Sequence, residues 1–183
     1  MKKSELFGFY LTLIEYKKSF MKLFSVISLI ALFSFSDLCA QEQKVETIKY
    51  EQLHEKINQN NDKVVVVNFW ATWFAPCVEE IPAFVEVNNL YKDHPNFKML
   101  FVSLDRPKVI GKVKQFIQDY KMNAEVVLLD DTKRMNEWIP SFDSKWAGNI
   151  PVTIIYHNGK KVVFHDQQMT KYELEDAITE YLE

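Results

Sequence analysis

The sequence predicts an α/β chain with a central sheet flanked by helices, and three observations point to that class. The run Val64-Val-Val-Val-Asn-Phe-Trp70, bounded by Asp62-Lys63, is continuous, apolar and β-branched, as a strand buried on both faces is. Stretches of strand length alternate with helical patterns through the middle of the chain, which is how parallel βαβ units read. Near the end, two strand-like runs flank Asn158-Gly159, the pair that a two-residue hairpin turn demands because both positions take positive φ. The chain of 183 residues, 48% hydrophobic and 14% aromatic, fits one globular domain plus a removable segment and not two domains.

Each element has its own signal. Residues 47–50 read as a short strand, and 52–60 as a helix with Leu53 and Ile57 at i,i+4 spacing. After the strand at 64–70, residues 75–92 form a helix with Val78, Ile81, Val85 and Leu90 among its apolar positions and Pro82 as a kink. Residues 97–104 return as a strand, 109–120 as a helix and 126–129 as a strand. A short helical stretch at 134–138 leads into a loop from 141 to 149. Strands at 152–156 and 161–165 make the hairpin. Thr170-Lys-Tyr-Glu173 is a capping box that opens the last helix, where Leu174, Ile178 and Tyr181 or Leu182 recur at helical spacing.

The first forty residues are of a different kind. Lys22 precedes the apolar run Leu23-Phe-Ser-Val-Ile-Ser-Leu-Ile-Ala-Leu-Phe-Ser-Phe35, which is shorter than the ~20 residues of a membrane span. This reads as a signal peptide starting at Met21 behind an upstream extension, with cleavage expected after Ala40 and a domain over 41–183. Two alternatives stay open: an uncleaved anchor, because Leu38 is large for its place in the processing site, and lipidation at Cys39. The latter is disfavoured because Ser36-Asp-Leu-Cys39 puts Leu38, and not a small residue, just before the cysteine. Either way the chain is expected in the periplasm or cell envelope, meeting the membrane only through this segment.

Removing residues 1–40 leaves 17 basic against 22 acidic residues, a net charge of −5. The lysines are scattered with no basic stripe, so nucleic acid is not an expected partner. Four glycines form no phosphate-cradling cluster, which argues against nucleotide binding. His54, His94, His157 and His165 lack metal-ligand spacing, and no Gly-x-Ser-x-Gly elbow is present. No metal or other cofactor is therefore expected.

The strand at 64–70 runs into Ala71-Thr-Trp73-Phe74-Ala-Pro76-Cys77, followed by Glu80 and Pro82; some seventy residues on, Ile150-Pro151-Val-Thr-Ile-Ile155 precedes Asn158-Gly159. Together these segments resemble the exported TlpA/ResA-like branch of the thioredoxin (redoxin) family of thiol-disulfide oxidoreductases, over roughly residues 48–182. The resemblance implies a thioredoxin-like fold, a mixed sheet flanked by helices, in which the helix and strand over 109–129 are the insertion of that branch. It implies that Phe74 stands where the attacking cysteine belongs and that Cys77 holds the resolving position. It further implies that Trp73 and Pro76 border the site, that Ile150-Pro151 is a cis-proline segment able to meet an extended polypeptide, and that Asn68 replaces a buried Asp of the smallest family members.

Thiol–disulfide exchange proceeds through a mixed disulfide, which a phenyl ring cannot form. The two-cysteine cycle, and a redoxin-type peroxidase cycle with it, should be absent. Cys77 is expected in the first turn of a helix, where its pKa is lowered, or else as a small buried core thiol covered by Phe74. Glu80, at i+3 from Cys77, shares its helix face and is the one nearby group able to handle a proton. Three functions stay open: an envelope oxidoreductase homologue with monothiol chemistry and a protein thiol or disulfide partner, a non-enzymatic module binding polypeptide at Trp73, Phe74 and Pro151, and a structural homodimer linked through Cys77.

The exported form is expected to begin at Gln41, and its intact mass checks this. Retention of Met21 through Ala40 would mean an anchor, and a lipid adduct on Cys39 a different peptidase.

Overall fold

Strand β2, Val64–Trp70, is buried along its whole length and organises the sheet around it. The computed structural model describes residues 44–182 together with Tyr16 and Lys17, and the chain divides into two units, Met1–Glu42 and Gln43–Glu183. The expected signal segment and Cys39 lie outside the described residues. Among the described residues no helix is long and apolar enough to cross a membrane.

The elements run β1 (Glu46–Ile48), α1 (Tyr50–Asn58), β2, α2 (Ala75–Tyr91), β3 (Phe97–Ser103), α3 (Ile110–Asp119), β4 (Glu125–Leu129), α4 (Met135–Phe142), β5 (Val152–His157), β6 (Lys160–His165) and α5 (Lys171–Thr179). One six-stranded sheet has the order β1-β4-β3-β2-β5-β6. Strands β1, β4, β3 and β2 are parallel, whereas β5 and β6 are antiparallel additions beside β2. The extra helix–strand unit expected over 109–129 is present as α3 and β4, and β4 lies between β1 and β3.

Strand periodicity separates two cores. Val64, Val66 and Trp70 point to one face and pack with Ile81 and Phe84 of α2, Val113 and Ile117 of α3, and Leu174 and Ile178 of α5. Val65, Val67 and Phe69 point to the other, with Leu53 and Ile57 of α1 and Trp138 and Phe142 of α4. Phe69 sits in an aromatic cluster there, 4.7 Å from Trp146 and 5.3 Å from Phe142 between ring centroids. The buried indole N–H groups in this layer are satisfied by backbone: Trp138 donates to the Asp131 carbonyl and Trp146 to that of Asn149.

Several expectations need correction. Tyr50 begins α1 and does not end β1, because Gln52 accepts from the Lys49 N–H and starts the helix early. Helix α4 continues through Ser141 and Phe142, which were expected in a loop; Pro140 stands within it, held by the burial of Trp138, Ile139 and Phe142. Leu90 is exposed, since nine residues beyond Ile81 a helix has turned to its opposite side. Phe84 and Val87 fill that core stripe instead. Tyr181 and Leu182 lie past the end of α5 yet still pack on the first core.

Local signals proved sound at the turn of the last hairpin and at the start of α5. Asn158 and Gly159 both have positive φ, 51° and 69°. Thr170 accepts from the Glu173 N–H while the Glu173 carboxylate accepts from the Thr170 N–H. Thr170→Ala should cost about 1 kcal/mol of stability, read as a lower urea midpoint with an unchanged slope.

Candidate functional site

The site forms where β2 ends and α2 begins. After Trp70 the chain is held by its neighbour strand: the Leu104 N–H donates to the Trp70 carbonyl at 2.8 Å. The Asp105 carboxylate accepts from the Thr72 N–H at 2.9 Å, the Thr72 hydroxyl at 2.7 Å and the Ser103 hydroxyl at 2.9 Å. This clamp fixes the turn that presents Trp73 and Phe74. Phe74 is the N-cap residue of α2 in extended conformation, half-buried against the first core. Its carbonyl accepts from the N–H groups of Cys77 and Val78, while its ring meets that of Trp73 edge-on at 5.9 Å.

Cys77 lies in the first turn of α2 with no exposed surface. Burial pushes its thiol up to about 12, and the carboxylates of Glu80 and Asp105 push the same way against one backbone hydrogen bond from the Ala71 region. Of the two environments considered for Cys77, the structure gives the buried thiol: desolvation outweighs the helix N-terminus.

Glu80, one turn further, is buried beneath the same face. It accepts from Asn68 Nδ2 at 2.7 Å and from the Met169 N–H at 3.1 Å. Its pKa is pushed up to about 7, because desolvation exceeds what these two donors return. Asn68 also donates to the Thr153 hydroxyl at 3.2 Å, which is possible because the two residues are directly opposed in the antiparallel β2–β5 pair. Gln168 ties the segment before α5 to the site by donating to the Pro76 carbonyl and the Glu79 carboxylate.

The Ile150–Pro151 peptide bond is cis. Pro151 is buried, and Ile150 packs against both cores. A cleft of about 320 Å³ opens beside it, with walls from Trp73, Leu104, Leu129, Met135 and Ile150 and a charge from Arg106. Trp73, Leu104, Arg106, Leu129 and Met135 lie at or after the carboxyl ends of β2, β3 and β4, and Ile150 precedes β5, at the edge of a parallel sheet where ligand crevices form. Trp73 is 67% exposed.

Thus Trp73, Phe74, Pro76, Cys77, Glu80, Ile150 and Pro151 lie around one end of the sheet, but at different depths. Trp73 and Ile150 face the cleft; Cys77 and Glu80 lie beneath the surface; Phe74 and Pro76 stand between. Sequence reasoning missed Asp105, Thr153 and Met169, which hold the site from other elements. It also missed the cleft residues Arg106 and Met135. Asp105 becomes recognisable only from the pairing of β3 with β2, in register Trp70 to Ser103, which sets it beside the loop after β2.

The sheet order, the cis-proline segment and the α2 N-terminus define a thioredoxin-like protein. More narrowly, the chain belongs to the AhpC/TSA family of redoxins, which matches residues 34–165. The thiol-disulfide oxidoreductase ResA of Bacillus cereus is 29% identical over 101 residues, covering 55% of this chain and 53% of the relative. ResA of Geobacillus kaustophilus is 27% identical over 124 residues, 67% and 66% of the two chains. The chain therefore spans between half and two-thirds of the length of these curated relatives. A thioredoxin-family thiol:disulfide interchange protein from Chlorobium tepidum has the same fold, with a TM-score of 0.58 at 20% identity over 69% of this chain and 84% of that one.

The raised Glu80 pKa has a definite pH signature. An unfolded Glu ionises near 4.5 and the native one near 7, so between these values the native state holds the extra proton. That stabilisation is complete below 4.5 and lost as pH rises through 7, on the order of 3 kcal/mol at 1.36 kcal/mol per pH unit. Urea midpoints of wild type and Glu80→Gln, compared from pH 4.5 to 8, should show wild type losing stability relative to the variant. A difference that grows in favour of wild type with pH would refute it.

Proposed function

We propose that this chain is an exported, thioredoxin-like protein of the cell envelope, from the thiol-disulfide oxidoreductase lineage, that lacks the two-cysteine redox cycle and holds extended polypeptide at the Trp73, Phe74 and Ile150-Pro151 surface. The observation behind it is a contrast within one motif: Trp73 is 67% exposed while Cys77 has no exposed surface. The site offers a contact face and withholds its thiol.

The chemistry argues the same way. Phe74 supplies no nucleophile, and a thiol with a pKa of about 12 is thiolate in roughly one molecule in 10⁵ at neutral pH. Monothiol exchange at Cys77 and a Cys77-linked homodimer both need that sulfur at the surface, so its burial weighs against each. Polypeptide binding has no such requirement. An aromatic ring beside a cis-proline segment can hold an extended chain through main-chain hydrogen bonds and side-chain pockets. The partner is accordingly a polypeptide, including one that itself bears a thiol or disulfide. Export is read from the segment at 22–40, and a domain over 41–183 whose one cysteine is Cys77 has no intramolecular disulfide to form even in an oxidising compartment.

Wild-type protein should not accelerate dithiol-driven reduction of a disulfide substrate. Phe74→Cys should create a redox-active pair with Cys77, since position 74 caps the helix and Cys77 sits one turn in; Glu80 would then stand one turn from the new pair as its proton acceptor. Half-burial of Phe74 keeps the cost below the ~3–5 kcal/mol of a fully buried Phe. Wild-type turnover that survives Cys77→Ser would overturn the loss of the cycle. Two free thiols in oxidising buffer would show that the frame no longer brings positions 74 and 77 together.

A further inference from the structure

We infer that the cleft beside Trp73 is a selective subsite: it takes one apolar side chain of an extended peptide, while Arg106 pairs with a carboxylate two residues along that peptide. The inference rests on the polypeptide-binding reading and adds the chemistry of what is bound.

Size and lining define the first half. At about 320 Å³ the cleft is at the small end of ligand pockets, enough for one large side chain. Its walls, from Leu104, Leu129, Met135 and Ile150, are apolar. Met135 is 40% exposed and Trp73 67%, so two large apolar groups face solvent at its rim. Met adapts its shape to different apolar partners, which suits a side-chain pocket better than a fixed cofactor.

Charge defines the second half. The chain has two arginines. Arg134 is engaged by Glu51 and Asp131. Arg106 is exposed, lines the cleft as its one charged residue, and has no ion pair or side-chain hydrogen bond among the described residues. The neighbouring carboxylate does not answer it, because Asp105 is buried and committed to Thr72 and Ser103. An unpaired guanidinium at the mouth of an apolar cleft is complementary to a carboxylate, which its planar fork can hold by two hydrogen bonds. In an extended peptide residues i and i+2 share a face. The recognised pattern is therefore apolar–any–acidic.

The test uses blocked, fluorescein-labelled peptides Thr-Ser-Leu-Thr-Asp-Ser-Thr, its Asp-to-Asn form and its Leu-to-Gly form, titrated with the exported chain by fluorescence anisotropy. The Asp peptide should bind about five- to tenfold more tightly than the Asn peptide, and the Gly peptide most weakly. Arg106→Gln should erase the Asp preference, so that the Asp and Asn peptides bind with the same affinity as each other. Met135→Glu should weaken the Leu peptides at least tenfold; a Glu in the first turn of α4 suits the helix dipole, and circular dichroism checks its fold. An Asp preference that survives Arg106→Gln overturns the inference, as does equal binding of the Gly peptide. Sedimentation showing a dimer that Met135→Glu dissolves also overturns it, because a second copy then fills the cleft. Binding that ignores both substitutions but falls with Phe74→Ala overturns this inference and leaves the broader polypeptide-binding reading standing. No saturable binding by any of the peptides sinks both.

Discussion

The burial of β2 on both faces is the constraint on which the rest depends. With all seven residues out of water, any polar side chain on this strand must find its partner inside, since a buried polar group left unmatched costs about 1–3 kcal/mol. Asn68 is the polar residue of that strand. It reaches Glu80 on α2 and Thr153 on β5, and Glu80 in turn receives the Met169 N–H. One amide thereby joins the central strand, the site helix, the antiparallel half of the sheet and the lead into α5. The match is not complete: among the described residues Asn68 Oδ1 and Trp70 Nε1 are buried without partners, both at the end of β2 that carries the site.

The same network explains why Glu80 is unusual. The carboxylate takes two donors here and still sits far enough from water that its pKa is pushed up to about 7. Two neutral donors soften the desolvation of a charge but do not replace the shell of water it loses. Thr72 and Asp105 stand differently: three donors converge on the Asp105 carboxylate, and that clamp holds the loop rigid where it turns into α2. Buried acids on either side of Cys77 thus serve position first.

What the sequence made legible was local or periodic. The bounds of β2 follow from its β-branched run, the hairpin from Asn158-Gly159, and the start of α5 from Thr170 and Glu173, because each signal lies within a few residues of its effect. The motif 73–77 was legible by resemblance. The state of Cys77 was not, since burial is a property of what packs over it, and the covering residues come from elsewhere in the chain. Asp105, Thr153 and Met169 lie 33, 85 and 89 residues from the groups they hold, so no short-range pattern announces them. The cleft was illegible for the same reason: Met135 and Leu129 meet Trp73 only once β4 is slotted between β1 and β3.

Phe74 shows how chemistry and scaffold can part. An N-cap residue ordinarily lends a side-chain acceptor to the first turn, and Phe has none. Here the backbone does that work: the Phe74 carbonyl takes the N–H groups of Cys77 and Val78, and Pro76, in the first turn, has no N–H to satisfy. The helix start therefore makes no demand on the side chain at 74 beyond half-filling the space beside the first core. Asn68, Glu80 and Asp105 hold the loop and helix in place through contacts that do not involve it. A scaffold with this division holds its shape independently of the side chain at position 74, and the cleft, walled by Trp73, Leu104, Leu129, Met135 and Ile150, draws on different residues from Cys77 and Glu80.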